Sequence, residues 1–321
     1  MTTSVLVLGA TGQLGLAIVR CYRSRANTAV IAPRVRWQSS ALTLQDLGGA
    51  VDTWFDTSHA ESFIVVWAAG AAITSTPSGT FSEEIDVFAS FCGLLAEALS
   101  VRDLAGQAQL FFASSAGGIY AGADGAPHSE LTTAAPITPY GETKLAMEEV
   151  VHDLVATSGI RAVVGRIANL YGPDQRIEKP QGFISQLCQA MIFRKPLSVY
   201  VSLDTVRDYI FTDDAATVIQ ATLDRLAPGV RSNRAVIKNI ASHTPATLGQ
   251  VLHEAELVFK RKPDFVLASS SHARGQVRDL RISSLVFTEL NDIPRRPLLL
   301  GLAKTRASIE SQFLAGGPRK I

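Results

Sequence analysis

Tyr140-Gly141-Glu142-Thr143-Lys144 puts a phenol and an ammonium one helical turn apart, directly after Thr138-Pro139. Thr138 can cap a helix and Pro139 suits its first position, so the spacing predicts that Tyr140 and Lys144 project from one face. The chemistry this offers is proton transfer. A phenol near its reference pKa of about 10 is almost wholly protonated at neutral pH, and bringing it to about 7 takes roughly 4 kcal/mol of preferential stabilisation of the phenolate. An exposed ion pair supplies only ~0–1 kcal/mol. Lys144 alone falls short, so a catalytic reading requires a sheltered pocket and a second positive charge. The competing reading is a surface helix carrying an incidental Tyr and Lys at (i, i+4).

A second constellation is Gly9-Ala10-Thr11-Gly12-Gln13-Leu14-Gly15, which follows the apolar run Val5-Leu6-Val7-Leu8. Three glycines at three-residue spacing between a first strand and a first helix let backbone amides and the helix N-terminus receive a pyrophosphate. Gly9, Thr11, Gly12, Gln13, Leu14 and Gly15 are therefore candidate contacts to a dinucleotide, whose oxidised nicotinamide ring would supply the second positive charge near Tyr140. An ordinary tight turn with packing glycines is the alternative. The next strand ends Val30-Ile31-Ala32-Pro33-Arg34-Val35-Arg36, without the carboxylate that usually binds an adenosine 2′-hydroxyl. Arg34 or Arg36 can instead pair with a 2′-phosphate, which favours NADP(H) over NAD(H). Both could also simply solvate a loop.

These groups need a scaffold, and the chain of 321 residues has ample material for one. Strands are expected at 5–8, 28–32, 62–69, 110–113, 161–166 and 235–240, and helices at 14–22, 82–99, 140–156 and 212–226. The alternation predicts an α/β fold with a doubly wound parallel sheet. Beyond Asn169 prolines interrupt the pattern, so residues 1–168, completed by about 210–240, form the expected dinucleotide-binding domain. A smaller interleaved substrate-binding region is expected over 169–209 and 241–321.

Thirty basic and 29 acidic residues leave a net charge of +1, which gives no electrostatic case for a nucleic-acid or membrane-surface partner. Cys21, Cys92 and Cys188 lie far apart and fit three packed thiols in a reducing compartment. The six histidines lack metal-ligand spacing, so no metal is expected. With no apolar run near 18 residues and no cleavable leader, a cytoplasmic protein is expected.

Taken together, the glycine loop and the Tyr140 motif resemble the extended short-chain dehydrogenase/reductase family, in its nucleotide-sugar epimerase and dehydratase branch. Trp67-Ala68-Ala69-Gly70, Arg166-Ile167-Ala168-Asn169-Leu170-Tyr171-Gly172-Pro173 and Arg207-Asp208-Tyr209 extend the likeness over almost the whole chain. The resemblance implies a Rossmann domain, with Ala68, Ala69, Gly70, Tyr140 and Lys144 beside NAD(P). It also implies that Asn169 contacts the sugar nucleotide and Arg207 its diphosphate; the other reading of Arg207 is a structural pair with Asp208. Many relatives carry a catalytic hydroxyl four residues before the position of Tyr120, where this chain has Ala116. A Ser-Ser-Gly-Gly variant of that turn implies Ser115 as the hydroxyl that meets the substrate, with Ser114 in reserve; both could instead merely cap a strand end.

The resemblance also narrows the reaction. Relatives that eliminate water carry a carboxylic acid directly after that hydroxyl, and Ala116-Gly117-Gly118 offers none. The expected activity is epimerisation through a transient keto sugar with Tyr140 as acid and base, rivalled by an NADPH-dependent ketoreductase and, more remotely, by a non-catalytic dinucleotide sensor. Val201-Ser202-Leu203-Asp204-Thr205 and Arg274-Gly275-Gln276 depart from the family's usual segments and leave the nucleotide base open. Relatives pair through two helices, here 82–99 and 140–156. The first carries Ile85, Phe88, Ala89, Cys92, Leu95, Ala96 and Leu99, more apolar surface than one core-facing stripe needs, so a homodimer is expected.

Overall fold

The computed structural model describes residues 2–56, 59–70, 80–176, 182–226, 233–268 and 277–316. The first half alternates β1 (Thr3–Leu8), α1 (Gln13–Arg23), β2 (Thr28–Ile31), α2 (Ser40–Asp56), β3 (Ser62–Trp67), α3 (Thr80–Arg102), β4 (Ala108–Ser115), α4 (Ala116–Ile119), α5 (Pro139–Ser158) and β5 (Arg161–Ile167). There follow β6 (Asn169–Tyr171), α6 (Phe183–Phe193), β7 (Leu197–Val199), β8 (Val206–Arg207), β9 (Tyr209–Phe211), α7 (Thr212–Asp224) and β10 (Val236–Ile240). The chain closes with β11 (Ala246–Thr247), α8 (Leu248–Phe259), β12 (Phe265–Leu267), β13 (Asp279–Leu280) and α9 (Leu298–Gly316).

A parallel sheet runs in the order β10-β5-β4-β3-β1-β2. Its inner strands are mainly apolar because both faces are covered, and the two-residue period shares them between two cores. Val5 and Val7 pack with α1 and α7 around Ile18, Tyr22, Val218 and Ile219. Leu6 and Leu8 point the other way, into a cluster of α2, α3 and α5 built on Trp54, Phe88, Phe91, Leu95, Met147 and Val151. This is the expected doubly wound α/β arrangement. A third apolar cluster, with Leu187, Phe211, Val251 and Leu302, lies within the later elements.

Helix α2 is absent from the sequence expectations, because Gly48-Gly49 interrupts its periodicity with two of the weakest helix formers. Burial of Leu47, Ala50, Val51, Trp54 and Phe55 overrides that weakness. The expected surplus of apolar surface on the helix at 82–99 is mostly used inside the subunit. Phe88, Cys92, Leu95 and Leu99 are buried, Ile85 and Ala96 pack against the same core, and only Ala89 of the set is exposed. The reason is that α3 packs against both α2 and α5.

The topology reverses between β1 and β3, and Gly9 therefore lies next to Ala68 at the carboxyl ends of adjacent strands. Open α/β sheets bind ligands in the crevice at such a switch point. All three cysteines are unpaired, and burial pushes the Cys92 and Cys188 thiols up to about 12, which makes both unreactive.

Candidate active site

The glycine loop is shaped by contact as well as by its turn. Gly9 has φ +85°, and a Cβ there would lie 2.6 Å from the Ala68 carbonyl carbon. At Gly15 a Cβ would lie 2.2 Å from the Gly9 oxygen, so α1 can approach the loop only without a side chain. Gly12 caps α1 with no side-chain hydrogen bond, and the first turn holds no acid. Its amides and positive end thus remain available to an anion, and the loop fits a dinucleotide pyrophosphate. Leu14 is buried in the core and Thr11 is exposed. The Gln13 side chain is engaged elsewhere: its amide donates to the carbonyls of Gly172 at 2.9 Å and Pro173 at 3.0 Å.

The two arginines beyond β2 separate. Arg36 is clamped on Asp46, with Nη2 2.6 Å from Oδ1 and Nε 2.9 Å from Oδ2. Its charge is already answered. Arg34 is exposed and makes no hydrogen bond or ion pair among the described residues.

Thr138 caps α5 as expected, its hydroxyl accepting from the Gly141 amide at 3.2 Å, and Pro139 opens the helix. Tyr140, Lys144 and Glu148 follow at four-residue steps on one face, half-buried, 5 % exposed and 1 % exposed respectively. The Lys144 ammonium lies 3.1 Å from Glu84 Oε1 of α3, 5.5 Å from the Phe112 ring centre and 5.9 Å from that of Tyr140. Glu84 is a residue that the sequence reading missed. The signal was present: Glu84 stands four residues before buried Phe88, on the helix face turned toward the core.

The adjacent serines also separate, because successive strand residues face opposite ways. Ser114 donates to Glu148 Oε1 at 2.5 Å, and Glu148 accepts from Arg166 Nη2 at 2.6 Å. Arg166 in turn donates to the Tyr120 hydroxyl at 2.9 Å. Burial works against the Arg166 charge, but Glu148 and Tyr120 hold it above the usual arginine range. Ser115 is outside this network. Its hydroxyl accepts from the Gly118 amide at 3.1 Å and caps α4. A Cβ on Gly118 would lie 3.1 Å from Tyr140 Cε1, so Gly118 brings the phenol ring against the turn that Ser115 caps.

On the other side of the crevice, Asn169 donates its side-chain amide to the Asp208 carbonyl at 2.9 Å, which leaves its own Oδ1 as an acceptor. Arg207 and Asp208 do not pair. Asp208 turns inward, accepting from the Ser242 and His243 amides at 2.8 and 2.9 Å, and burial pushes its carboxyl up to about 6 against those bonds. Arg207 Nη1 donates to the Val206 carbonyl at 2.8 Å, and no carboxylate bridges it among the described residues. Burial lowers its pKa against the more distant charge of Asp279, so an anion in direct contact would offset that desolvation. Arg274, Gly275 and Gln276 lie outside the described residues.

Among the described residues no cluster of His, Cys, Asp or Glu could hold a metal ion, and no helix is long and apolar enough to cross a membrane. The profile of the NAD dependent epimerase/dehydratase family matches residues 5–238, well over half of the chain. The chain belongs to that family. Among its relatives is the dTDP-4-dehydro-6-deoxyglucose reductase of Escherichia coli, 26 % identical over 175 residues, or 54 % of this chain and 53 % of that protein. Another is the UDP-glucose 4-epimerase of Azospirillum brasilense, 33 % identical over 116 residues, covering 32 % of this chain and 33 % of the relative. The matches thus span about half the length of these relatives or less. The solved UDP-glucose 4-epimerase of Thermus thermophilus in complex with NAD superposes with a TM-score of 0.77 at 21 % identity, covering 97 % of this chain and 100 % of that one. That likeness is one of fold. This epimerase/dehydratase family member accordingly carries the family's NAD-dependent α/β scaffold, with no acid following Ser115.

Proposed function

We propose that this protein is an NAD(P)-dependent nucleotide-sugar epimerase that works through a transient keto sugar. The observation that carries the reading is the corner where the Tyr140 ring meets the turn capped by Ser115 and followed by no acid. Tyr140 takes the proton of a sugar hydroxyl as the keto sugar forms and returns it to the same oxygen when the carbon is reduced from its opposite face, with the Lys144 ammonium 5.9 Å from its ring centre. The Ser115 oxygen already accepts from Gly118, so its O–H is left to donate to the sugar oxygen opposite the tyrosine. Arg207 meets the diphosphate and Asn169 offers Oδ1 to the sugar nucleotide. The glycine loop would hold the dinucleotide, whose nicotinamide would supply reversible hydride transfer at the sugar carbon. The substrate-binding region is 169–209 with 241–321, beside the domain at 1–168 completed by 210–240, and the support for this division is a third apolar cluster drawn mostly from the later residues.

Incubation with a panel of UDP- and dTDP-hexoses tests the reading. The expected result is interconversion of two epimers with no net change in reduced dinucleotide. Stoichiometric consumption of NADPH would instead make the protein a nucleotide-sugar ketoreductase, the reading favoured by the Escherichia coli relative. A tightly held dinucleotide with no turnover of any sugar would leave only a sensing role.

We infer further that the dinucleotide is NADP(H), on Arg34 alone, because Arg36 is neutralised by Asp46 and β2 ends without a carboxylate. We infer also a cytoplasmic homodimer through α3 and α5. The three unpaired cysteines suit a reducing compartment, and exposed Ala89, Ser90 and Gly93 let a second α3 approach closely. Native mass spectrometry reads both at once, and two chains each holding NADP(H) are expected. Bound NAD(H) would overturn the 2′-phosphate contact, and a single chain at micromolar concentration would overturn the dimer.

A further inference from the structure

Among the described residues α5 takes part in two buried ion pairs, and they differ in completeness. Glu148 is saturated by Arg166 and Ser114, as a structural pair must be to recover its desolvation. The Glu84–Lys144 pair is not. Its side chains are 13 % and 6 % exposed, yet Glu84 makes one hydrogen bond among the described residues, through Oε1 to Lys144. Lys144 has that oxygen and, at 3.9 Å, the Met147 sulfur, a weak acceptor. An ammonium has three donors and a carboxylate about four acceptor sites, so among the described residues the pair holds capacity that these bonds do not fill.

Its surroundings show where that capacity points. A Cβ on exposed Gly70 would lie 3.3 Å from Glu84 Oε1 and 3.4 Å from Lys144 Nζ. The pair thus opens on bare backbone, two residues beyond Ala68, the residue against which Gly9 packs. A dinucleotide with its pyrophosphate at the start of α1 would place one ribose toward β2 and, on the function proposed above, the other toward Tyr140. The β2 side carries Arg34, and the Asp46 carboxylate there is already taken by Arg36. The Glu84 carboxylate stands on the Tyr140 side, beside an ammonium, and a vicinal diol is complementary to that combination: each hydroxyl both donates and accepts.

We propose that Glu84 is a cofactor-binding residue, which with Lys144 holds the diol of the ribose on the nicotinamide side. Glu84 accepts from a ribose hydroxyl and Lys144 donates to one. The proposal rests on the placement of the dinucleotide given above, between the glycine loop and Tyr140.

The test is equilibrium titration of the full chain, freed of dinucleotide, with ADP-ribose and with ADP, or with their 2′-phosphorylated forms where the native protein holds NADP. ADP lacks the ribose in question. Glu84→Gln is expected to weaken ADP-ribose by about 10-fold or more, the scale of a lost charge-assisted hydrogen bond, and to leave ADP within about twofold. Equal losses for both ligands, no loss for either, or tighter ADP-ribose would each overturn the assignment, the last by showing that Glu84 merely competes for Lys144. A second measurement needs no variant: wild-type protein should bind an ADP-ribose analogue without the terminal ribose hydroxyls about as weakly as ADP, and equal affinity for the analogue and ADP-ribose would also overturn it. No sugar is present, so a failed epimerase assay and a failed Glu84 test remain distinguishable.

Discussion

Tyr140→Phe is expected to lower turnover by about 10²–10⁴-fold, the range that a positioned general acid or base contributes. Dinucleotide affinity should stay within about twofold. The substitution deletes one oxygen and leaves the ring edge, which is the part of the side chain that lies against Gly118. Helix α5 keeps its Thr138 cap and its Pro139 start, so the position of Lys144 is retained. Loss of turnover with intact binding therefore isolates the proton transfer from the surface that holds the ligands. The measurement pairs single-turnover conversion of a nucleotide sugar with a binding titration on the same preparation. Turnover comparable to wild type would remove Tyr140 from the mechanism, whatever the sugar.

Ser115→Ala should cost on the order of 10²–10³ in turnover, as loss of one preorganised donor to a reacting oxygen does. Its structural cost is the lost cap of a four-residue helix, about 1 kcal/mol, which leaves the protein folded. Ser114→Ala should behave in the opposite way. Glu148 loses one of its hydrogen bonds but keeps Arg166, so stability falls by about 1.5–3 kcal/mol and turnover stays near wild type. Chemical denaturation and steady-state rates on both variants read the contrast. A larger kinetic loss at Ser114 would exchange the two roles, and negligible losses at both would leave the sugar oxygen to another donor.

Much of the frame was legible in the sequence because it follows from rules that act over a few residues. A run of apolar residues ended by glycine marks a strand buried on both faces, and Gly9, Gly12 and Gly15 mark a loop that must pass close to other backbone. Thr138-Pro139 sets where α5 begins, and the helical period then fixes Tyr140, Lys144 and Glu148 on one face. The two-residue period of β4 likewise guarantees that Ser114 and Ser115 face opposite ways. It does not say which of them faces Glu148.

That choice, and the others that define the site, were made by residues far apart in the chain. Lys144 meets Glu84 across 60 positions, Ser114 meets Glu148 across 34, and Gln13 reaches the Gly172 carbonyl across 159. Arg36 illustrates the difference over a shorter span: its side chain reads as a phosphate ligand until α2, which Gly48-Gly49 conceals in the sequence, presents Asp46 to it. Arg207 shows the converse, since its neighbour Asp208 is drawn inward by two backbone amides and no carboxylate bridges the guanidinium among the described residues. Periodicity and capping are set by a residue's immediate neighbours, so they can be read along the chain. Which charge answers which is set by how helices dock on the sheet, because a buried ionic group must take its partner from whatever element packing brings within about 3 Å.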